Sequence, residues 1–436
     1  LSRLDSRMTT PRTLAEWLEY QQRIHPHAIA MGLERISAVW QRLGSPRPAP
    51  LVVTVAGTNG KGSTVAFIEG IGRAYKCRVG AYTSPHLLHY NERIRVNGAQ
   101  ATDVELIAAF ERIEVARGEI QLTYFEFCTL AALLVFAAHD LDLAVLEVGL
   151  GGRLDAVNIV DADVSVVTTI DFDHQDLLGD DLDAIAREKA GIFRSGRPAV
   201  ICDPSAPCAL KEAALAIGAT VVLADRDFHV NTDHDGRMWN AGDLRIEIPV
   251  LPLVAPVQAL NAAGAIAVFH ALRSSLDWQP ECIREGLATA RIPARIQCFP
   301  GPPEIVVDVA HNPQVARALG AWLEGSPARG AQIAVFAALA DKDIEGIIAP
   351  VREHFAHWYI AGLERCSPRG LEVESLRQRV EPSLGADRVT CCVDVDTAML
   401  EALGNVGGDA RIVAFGSFFV AADALNHIAR TRHGEN

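Results

Sequence analysis

Leu51-Val52-Val53-Thr54-Val55, then Gly57-Thr58-Asn59-Gly60-Lys61-Gly62-Ser63-Thr64, sets out a β-branched strand, a glycine-rich turn, a lysine and hydroxyls in that order. A helix-like segment, 65–75, follows. This layout makes a cradle for nucleotide phosphates. Glycines let backbone N–H groups curl around phosphate oxygens, and a helix N-terminus adds partial positive charge. Lys61 supplies a full charge. The common P-loop separates its first glycine from Gly-Lys by four residues and puts a hydroxyl directly after the lysine. Here Val55 holds the first position and Gly62 stands before Ser63. The loop binds phosphate, but it is of a distinct kind.

Around the loop, apolar strand patterns recur at 78–82, 143–148, 164–170, 199–202 and 220–223. Helical patterns lie between most of them, at 103–116, 125–139 and 183–193. Near-continuous apolar strands alternating with helices predict a P-loop-type α/β fold, its mostly parallel sheet covered by helices on both faces. Segment 228–254 is polar and rich in turn signals, and reads as a small antiparallel excursion. Two helices, 257–273 and 280–290, come next. Pro300-Gly301-Pro302-Pro303 marks an interdomain boundary. Five strand–helix alternations follow it, predicting a smaller C-terminal Rossmann-like α/β domain. The division puts 1–295 in an ATP-binding domain and 296–436 in the smaller one.

A chain of 436 residues exceeds one hydrophobic core, which agrees with two domains. Its net charge of −14 argues against nucleic-acid binding, which usually needs a basic surface. No apolar run reaches a membrane span. Nine cysteines without a C-x-x-C pattern read as reduced thiols of a cytoplasmic protein.

Chemistry-bearing residues gather at predicted strand ends. Ser84, in Thr83-Ser84-Pro85-His86, ends the second strand; alone it reads as a turn hydroxyl. Glu147 lies inside an apolar strand, and an unpaired buried charge is costly, so a cationic partner is favoured. Asp171-Phe172-Asp173-His174 ends the next strand. Ser84, Glu147 and His174 arriving at neighbouring strand ends predict a hard-metal site for nucleotide phosphates; the mixed donor set does not suit structural zinc. Lys189, in Arg187-Glu188-Lys189-Ala190-Gly191, reads as part of a solvated helix face. Asp308-Val309-Ala310-His311-Asn312-Pro313, Asp341-Lys342-Asp343 and Gly416-Ser417-Phe418 fall at strand ends of the second domain. Together they predict a cleft between the domains. The loop alone leaves a kinase, an NTPase switch or a nonenzymatic nucleotide binder open.

These motifs, in register from about residue 17 to 428, resemble the Mur ligase superfamily. In detail they are similar to the bacterial bifunctional dihydrofolate synthase/folylpolyglutamate synthase family. The resemblance implies an ATP-dependent ligase that joins L-glutamate to dihydropteroate or to the tail of tetrahydrofolate through an acyl phosphate. It implies ATP, two magnesium ions, a monovalent cation and a monomer acting on small molecules. By the same resemblance Thr58, Asn59, Gly60 and Lys61 hold ATP phosphates, and Ser84, Glu147 and His174 hold magnesium. Asn261, Arg295 and Asp308 contact the nucleotide. Lys189 becomes a carbamate, and it joins Lys61, Asp308 and His311 as a catalytic group. Ser417 and His311 lie near the incoming glutamate. Thr123, Tyr124, Phe125 and Glu126 bind the pterin, whose flat ring suits aromatic neighbours. Ala28, Ile29, Ala30 and Met31, with Arg153 and Leu154, also belong to the acceptor site. The chain departs from the family at Ala30, where bacterial members usually carry Asp, and at Ala294, which replaces a usual glycine.

Overall fold

The computed structural model describes residues 13–25, 30–233 and 236–433. Its first sheet contains β1 (Leu51–Ala56), β2 (Val79–Tyr82), β3 (Ile94–Val96), β4 (Ala99–Gln100), β5 (Leu143–Glu147), β6 (Val164–Val167), β7 (Pro198–Ile201) and β8 (Thr220–Leu223). Their spatial order is β4-β3-β2-β5-β1-β6-β7-β8. β2, β5, β1, β6, β7 and β8 run parallel, while β3 and β4 are antiparallel additions at one edge. β1, β2, β5, β6 and β7 are buried along nearly their whole length, as two helical layers require, while the edge strand β8 is only partly buried. One layer includes the helices Leu14–Ile24, Asp103–Arg117 and Tyr124–Ala137; the other includes Lys61–Ala74, Gln258–Ala271 and Pro280–Thr289.

β9 (His229–Asp233), β10 (Gly236–Ala241) and β11 (Leu244–Ile248) form the expected antiparallel excursion. Trp239, fully buried, stacks on Phe228 and packs against Trp278, fixing this sheet to the second helical layer.

The smaller sheet contains β12 (Gln297–Phe299), β13 (Glu304–Val307), β14 (Gln332–Phe336), β15 (His357–Ala361), β16 (Val389–Cys392) and β17 (Arg411–Phe415), in the order β12-β13-β17-β14-β15-β16. All neighbours are parallel except β12 and β13. That pair corrects one expectation. Because β12 precedes Pro300-Gly301-Pro302-Pro303 and pairs with β13, the proline–glycine cluster is a turn inside the second sheet. Among the described residues no helix is long and apolar enough to cross a membrane, and the nine cysteines are free thiols.

The phosphate-loop helix starts at Lys61, four residues earlier than its apolar pattern suggests. It crosses Pro280–Thr289 at a pair of glycines. A Cβ on Gly70 would stand 2.4 Å from the carbonyl oxygen of Gly286, and one on Gly286 would stand 2.2 Å from Ile71 Cα. Alanine normally helps a helix by about 1 kcal/mol over glycine. Here the clash is with backbone, so Gly286→Ala is expected to destabilise by about 3 kcal/mol. Urea unfolding checks the sign; an unchanged or higher midpoint would refute the close crossing.

Candidate active site

β5, β1 and β6 are neighbours, and their C-terminal ends open on one edge. This is where the strand order reverses, the usual ligand crevice of an open α/β sheet. The loop after β1 is tied to the segment after β6. Thr58 N donates to Thr169 O (2.8 Å), Asn59 N to Thr169 Oγ1 (3.1 Å), and Thr168 Oγ1 to Asn59 O (2.6 Å). A Cβ on Gly57 would lie 1.8 Å from Thr168 Oγ1, and Gly60, at φ +85°, would press on Asn261 Oδ1 at 2.5 Å. Only glycine permits these approaches. The helix beginning at Lys61 has no side-chain cap, so its first N–H groups face the cradle unclaimed by a capping residue. Lys61 Nζ donates to the carbonyls of Gly57 and Thr58, both at 3.0 Å. Burial pulls its pKa down, against the opposing charges of Glu147 and Asp173.

Glu147 ends β5, buried, with Oε2 accepting from Ser84 N at 3.2 Å. Burial pushes its pKa up despite Lys61. Asp155, also buried, accepts from Leu150 N and Val157 N and so closes the glycine-rich loop after β5; burial raises its pKa to about 6. That loop docks on the helix Leu182–Ala190. A Cβ on Gly152 would stand 3.0 Å from the carbonyls of Glu188 and Lys189. Its glycines therefore serve loop–helix contact.

Lys189 corrects the reading of its helix as a solvated face. It is 4% exposed, and burial together with the charge of Lys61 pushes its pKa down to about 7. His174 sits at φ +50°, and burial lowers its pKa to about 4, which keeps the imidazole neutral and fit to ligate a metal. Among the described residues no three His, Cys, Asp or Glu side chains form a ready metal cage. Magnesium does not need one. It keeps water and phosphate oxygens as ligands and takes one or two carboxylates. Glu147, buried and bonded to the Ser84 amide, with a neutral His174 lining the same cleft, fits that sparse requirement.

The second sheet closes the crevice. Asn59 Nδ2 donates to Asn312 Oδ1 (3.2 Å) and Gln314 Oε1 (2.5 Å), and Asn312 Nδ2 returns a bond to Asn59 Oδ1 (2.9 Å). Lys342 Nζ pairs with Asp173 Oδ1 at 2.5 Å, and His311 Nε2 lies 3.5 Å from Asp173 Oδ2. Arg317 reaches Asp171 at 3.1 Å. Arg295 lies over the ring of Phe418 at 5.5 Å, and Asp308 accepts from Ile296 N and Ala310 N, both at 2.7 Å. Asp308 thus fixes the backbone where the chain passes from one sheet to the other. Ser417 Oγ accepts from Val420 N and caps the last helix.

Lys342 and Asp173 are 7% and 10% exposed, so the pair is largely desolvated. His311 and Lys342 hold the Asp173 carboxyl well below the usual aspartate range, overriding burial. A depressed folded pKa stabilises above the unfolded value, near ~3.9, and the contribution is lost as pH falls below it. Asp173→Asn leaves Lys342 buried without its partner and is expected to cost about 3 kcal/mol. Thermal unfolding at pH 7 measures this; a change within experimental error would show the pair to be solvated.

Thr58, Asn59, Gly60, Lys61, Ser84, Glu147, His174, Lys189, Asn261, Arg295, Asp308, His311 and Ser417 line one cleft of about 670 Å³ that also takes in Asp173, Gln314 and Lys342. The described members of the expected acceptor set, Ala30, Met31, Thr123 to Glu126, Arg153 and Leu154, lie outside that lining. Thr123 and Glu126 form a capping box for Tyr124–Ala137, with Glu126 paired to Arg35 at 3.1 Å. Phe125 packs on Gly149, where a Cβ would meet its ring at 2.4 Å, and Tyr124 lies beside Arg93. Arg153 is exposed and bonds Glu188; Leu154 and Met31 are half-buried. The Ala30 carbonyl accepts from Arg35 at 2.7 Å, while Ala28 and Ile29 fall outside the described residues. Lys342 and Phe418, from two of the strand-end clusters named in the sequence, line the cleft, and Gln314 joins them without having been singled out. Each owes its place to pairing across more than a hundred residues, which no local pattern encodes.

Known proteins agree with this construction. The Mur ligase middle domain matches residues 55–269, and the Mur ligase glutamate ligase domain matches residues 294–418. The chain is 42% identical over 422 residues to the dihydrofolate synthase/folylpolyglutamate synthase of Escherichia coli K12, covering 97% of both proteins. It is 31% identical to the Mycobacterium tuberculosis enzyme of that name, covering 97% of this chain and 96% of that one. Among solved structures, E. coli FolC in complex with DHPP and ADP superposes with a TM-score of 0.90 at 39% identity, covering 97% of this chain and 99% of that one. A bifunctional folylpolyglutamate synthase/dihydrofolate synthase with Mn, AMPPNP and L-glutamate bound gives 0.88 at 41% identity, covering 96% and 100%. The chain therefore belongs to the dihydrofolate synthase/folylpolyglutamate synthase family of the Mur ligase superfamily, and it is an ATP-dependent ligase.

Proposed function

We propose that the chain adds L-glutamate to dihydropteroate, forming dihydrofolate, and to the glutamate tail of tetrahydrofolates, with ATP driving both additions through an acyl phosphate. Residues 1–295 would hold ATP and acceptor, and 296–436 would bring glutamate. The observation that carries this reading is the meeting of the phosphate loop with the second sheet: Asn59 with Asn312 and Gln314, in the same cleft as Glu147, Lys189 and His311. A kinase needs no second nucleophile held against its phosphate loop; an amide ligase does.

The acceptor carboxylate attacks the γ-phosphorus and ADP leaves. The glutamate amine then attacks the acyl carbon, and phosphate departs with the oxygen that bridged them. Thr58, Asn59, Gly60 and Lys61 would hold the phosphates, and Lys61 would exchange its loop carbonyls for phosphate oxygens. Magnesium, held by Ser84, Glu147 and His174, would neutralise charge on the transferred phosphoryl. Lys189, as a carbamate, would present an anion toward a second ion. Asn261, Arg295 and Asp308 would position the nucleotide, and His311 and Ser417 the glutamate. Tyr124 and Phe125 would face the pterin. Contact between the two sheets excludes water from the acyl phosphate. The residues assigned to ATP, magnesium and glutamate line one cleft of a single chain, which supports a monomer, and free thiols fit a reducing cytoplasm.

Phosphate release from ATP tests the reading. It is expected only when a pterin acceptor and L-glutamate are both present. Turnover that ignores glutamate would overturn it.

A further inference from the structure

Arg93 is a cation in the cleft wall that forms no ion pair among the described residues. The residue is 8% exposed and lines the cleft. Its Nε donates to His86 Nδ1 at 2.7 Å, and its Cζ lies 5.7 Å from the Tyr90 ring centroid and 5.6 Å from that of Tyr124. These partners orient the guanidinium but do not neutralise it. Among the described residues, no carboxylate pairs with it, and its aromatic neighbours Tyr90 and Tyr124 carry no full charge to oppose it. Elsewhere in the cleft Lys342 pairs with Asp173, Arg369 pairs with Asp341, and Lys61 rests on its loop carbonyls; Arg295 forms no ion pair among the described residues but feels the charges of Asp308 and Glu147, and burial lowers the Lys189 pKa to about 7. A desolvated guanidinium without a counter-ion is costly, and an anionic ligand removes that cost.

Its place indicates which anion. Arg93 O accepts from Thr83 N at 2.9 Å, directly before Ser84. Tyr124 precedes Phe125, which packs on Gly149 in the cleft wall. The guanidinium therefore stands between the edge where the reacting carboxylate must lie and the aromatic side. Dihydropteroate has one carboxylate, and the reaction consumes it. A folyl acceptor reacts through the γ-carboxylate of its terminal glutamate and keeps the α-carboxylate charged throughout.

We propose that Arg93 binds the α-carboxylate of the terminal glutamate on a folyl acceptor and so sets the balance between the two acceptors. This rests on the function proposed above. A planar guanidinium takes a carboxylate through two parallel bonds, which an ammonium cannot reproduce.

The test uses the full chain with tetrahydrofolate, its α-carboxamide analogue and dihydropteroate. For the wild type, the carboxamide is expected to raise KM on the order of 100-fold. In Arg93→Gln, the ratio of kcat/KM for tetrahydrofolate to that for dihydropteroate falls by about the same factor, and carboxylate and carboxamide become equivalent within a few-fold. Arg93→Lys recovers part of the ratio. Equal losses with both acceptors, or undiminished discrimination against the carboxamide in Arg93→Gln, would assign Arg93 to architecture and overturn the proposal. A wild type indifferent to the carboxamide overturns it without any variant. A wild type that uses neither parent acceptor instead removes the underlying function.

Discussion

Glu147→Ala is expected to lower kcat by at least about 10³-fold, equivalent to roughly 4 kcal/mol of barrier. The same substitution is expected to leave the fold intact or more stable. Glu147 is 4% exposed, and burial raises its pKa, so its charged form is disfavoured in the folded protein. Alanine removes that cost along with one bond to the Ser84 amide. A steady-state assay with saturating ATP and acceptor, paired with thermal unfolding, checks both. Wild-type turnover would refute the metal assignment. A collapsed midpoint with lost activity would mean that the carboxylate is structural.

Lys189→Ala is expected to cost about 100-fold in kcat, as loss of a group supporting a metal site does. Short carboxylic acids such as acetate, filling the vacated space, should return part of it. The pH dependence has a definite sign. A carbamate forms from a neutral amine, and burial places the Lys189 pKa at about 7. Wild-type activity should therefore fall as pH drops below about 7, and that limb should disappear in the alanine variant. The lowered pKa also affects stability. Across the window from the ordinary lysine value, ~10.4, down to about 7, the unfolded chain binds a proton that the folded chain does not. Stability contributed at this site therefore declines as pH falls through that window. Titrating kcat against pH with and without bicarbonate separates the two effects.

The phosphate loop was legible because its chemistry is local. Glycines at 57 and 60, a lysine and a following helix lie within a single turn of chain, and the structure shows why a Cβ is barred at both glycines. The parallel sheet was legible because strands buried on both faces are apolar throughout. The missed strands have a different cause. β3 and β4 are three and two residues long, too short for a hydrophobic period. Their signal was Asn97-Gly98, with φ of +53° and +81°, a turn that pairs short strands. The proline cluster misled because prolines and glycines mark hairpin turns and linkers alike. Lys189 was misread only by its local pattern, the resemblance having placed it in the site. Its neighbours Arg187 and Glu188 suggested solvent, whereas it is buried and its backbone packs against the Gly152 loop, a contact no local pattern encodes. Lys342 with Asp173, and Gln314 with Asn59, needed the two sheets to come together before their complementarity existed.

The central claim is that this cleft forms an acyl phosphate on the acceptor. Dihydropteroate labelled with ¹⁸O in both carboxylate oxygens, incubated with ATP, L-glutamate and magnesium, tests it most directly. The oxygen that attacks phosphorus leaves with the phosphate, so inorganic phosphate should carry one ¹⁸O for each dihydrofolate formed, the other remaining in the new amide. Unlabelled phosphate alongside full dihydrofolate formation would contradict the account.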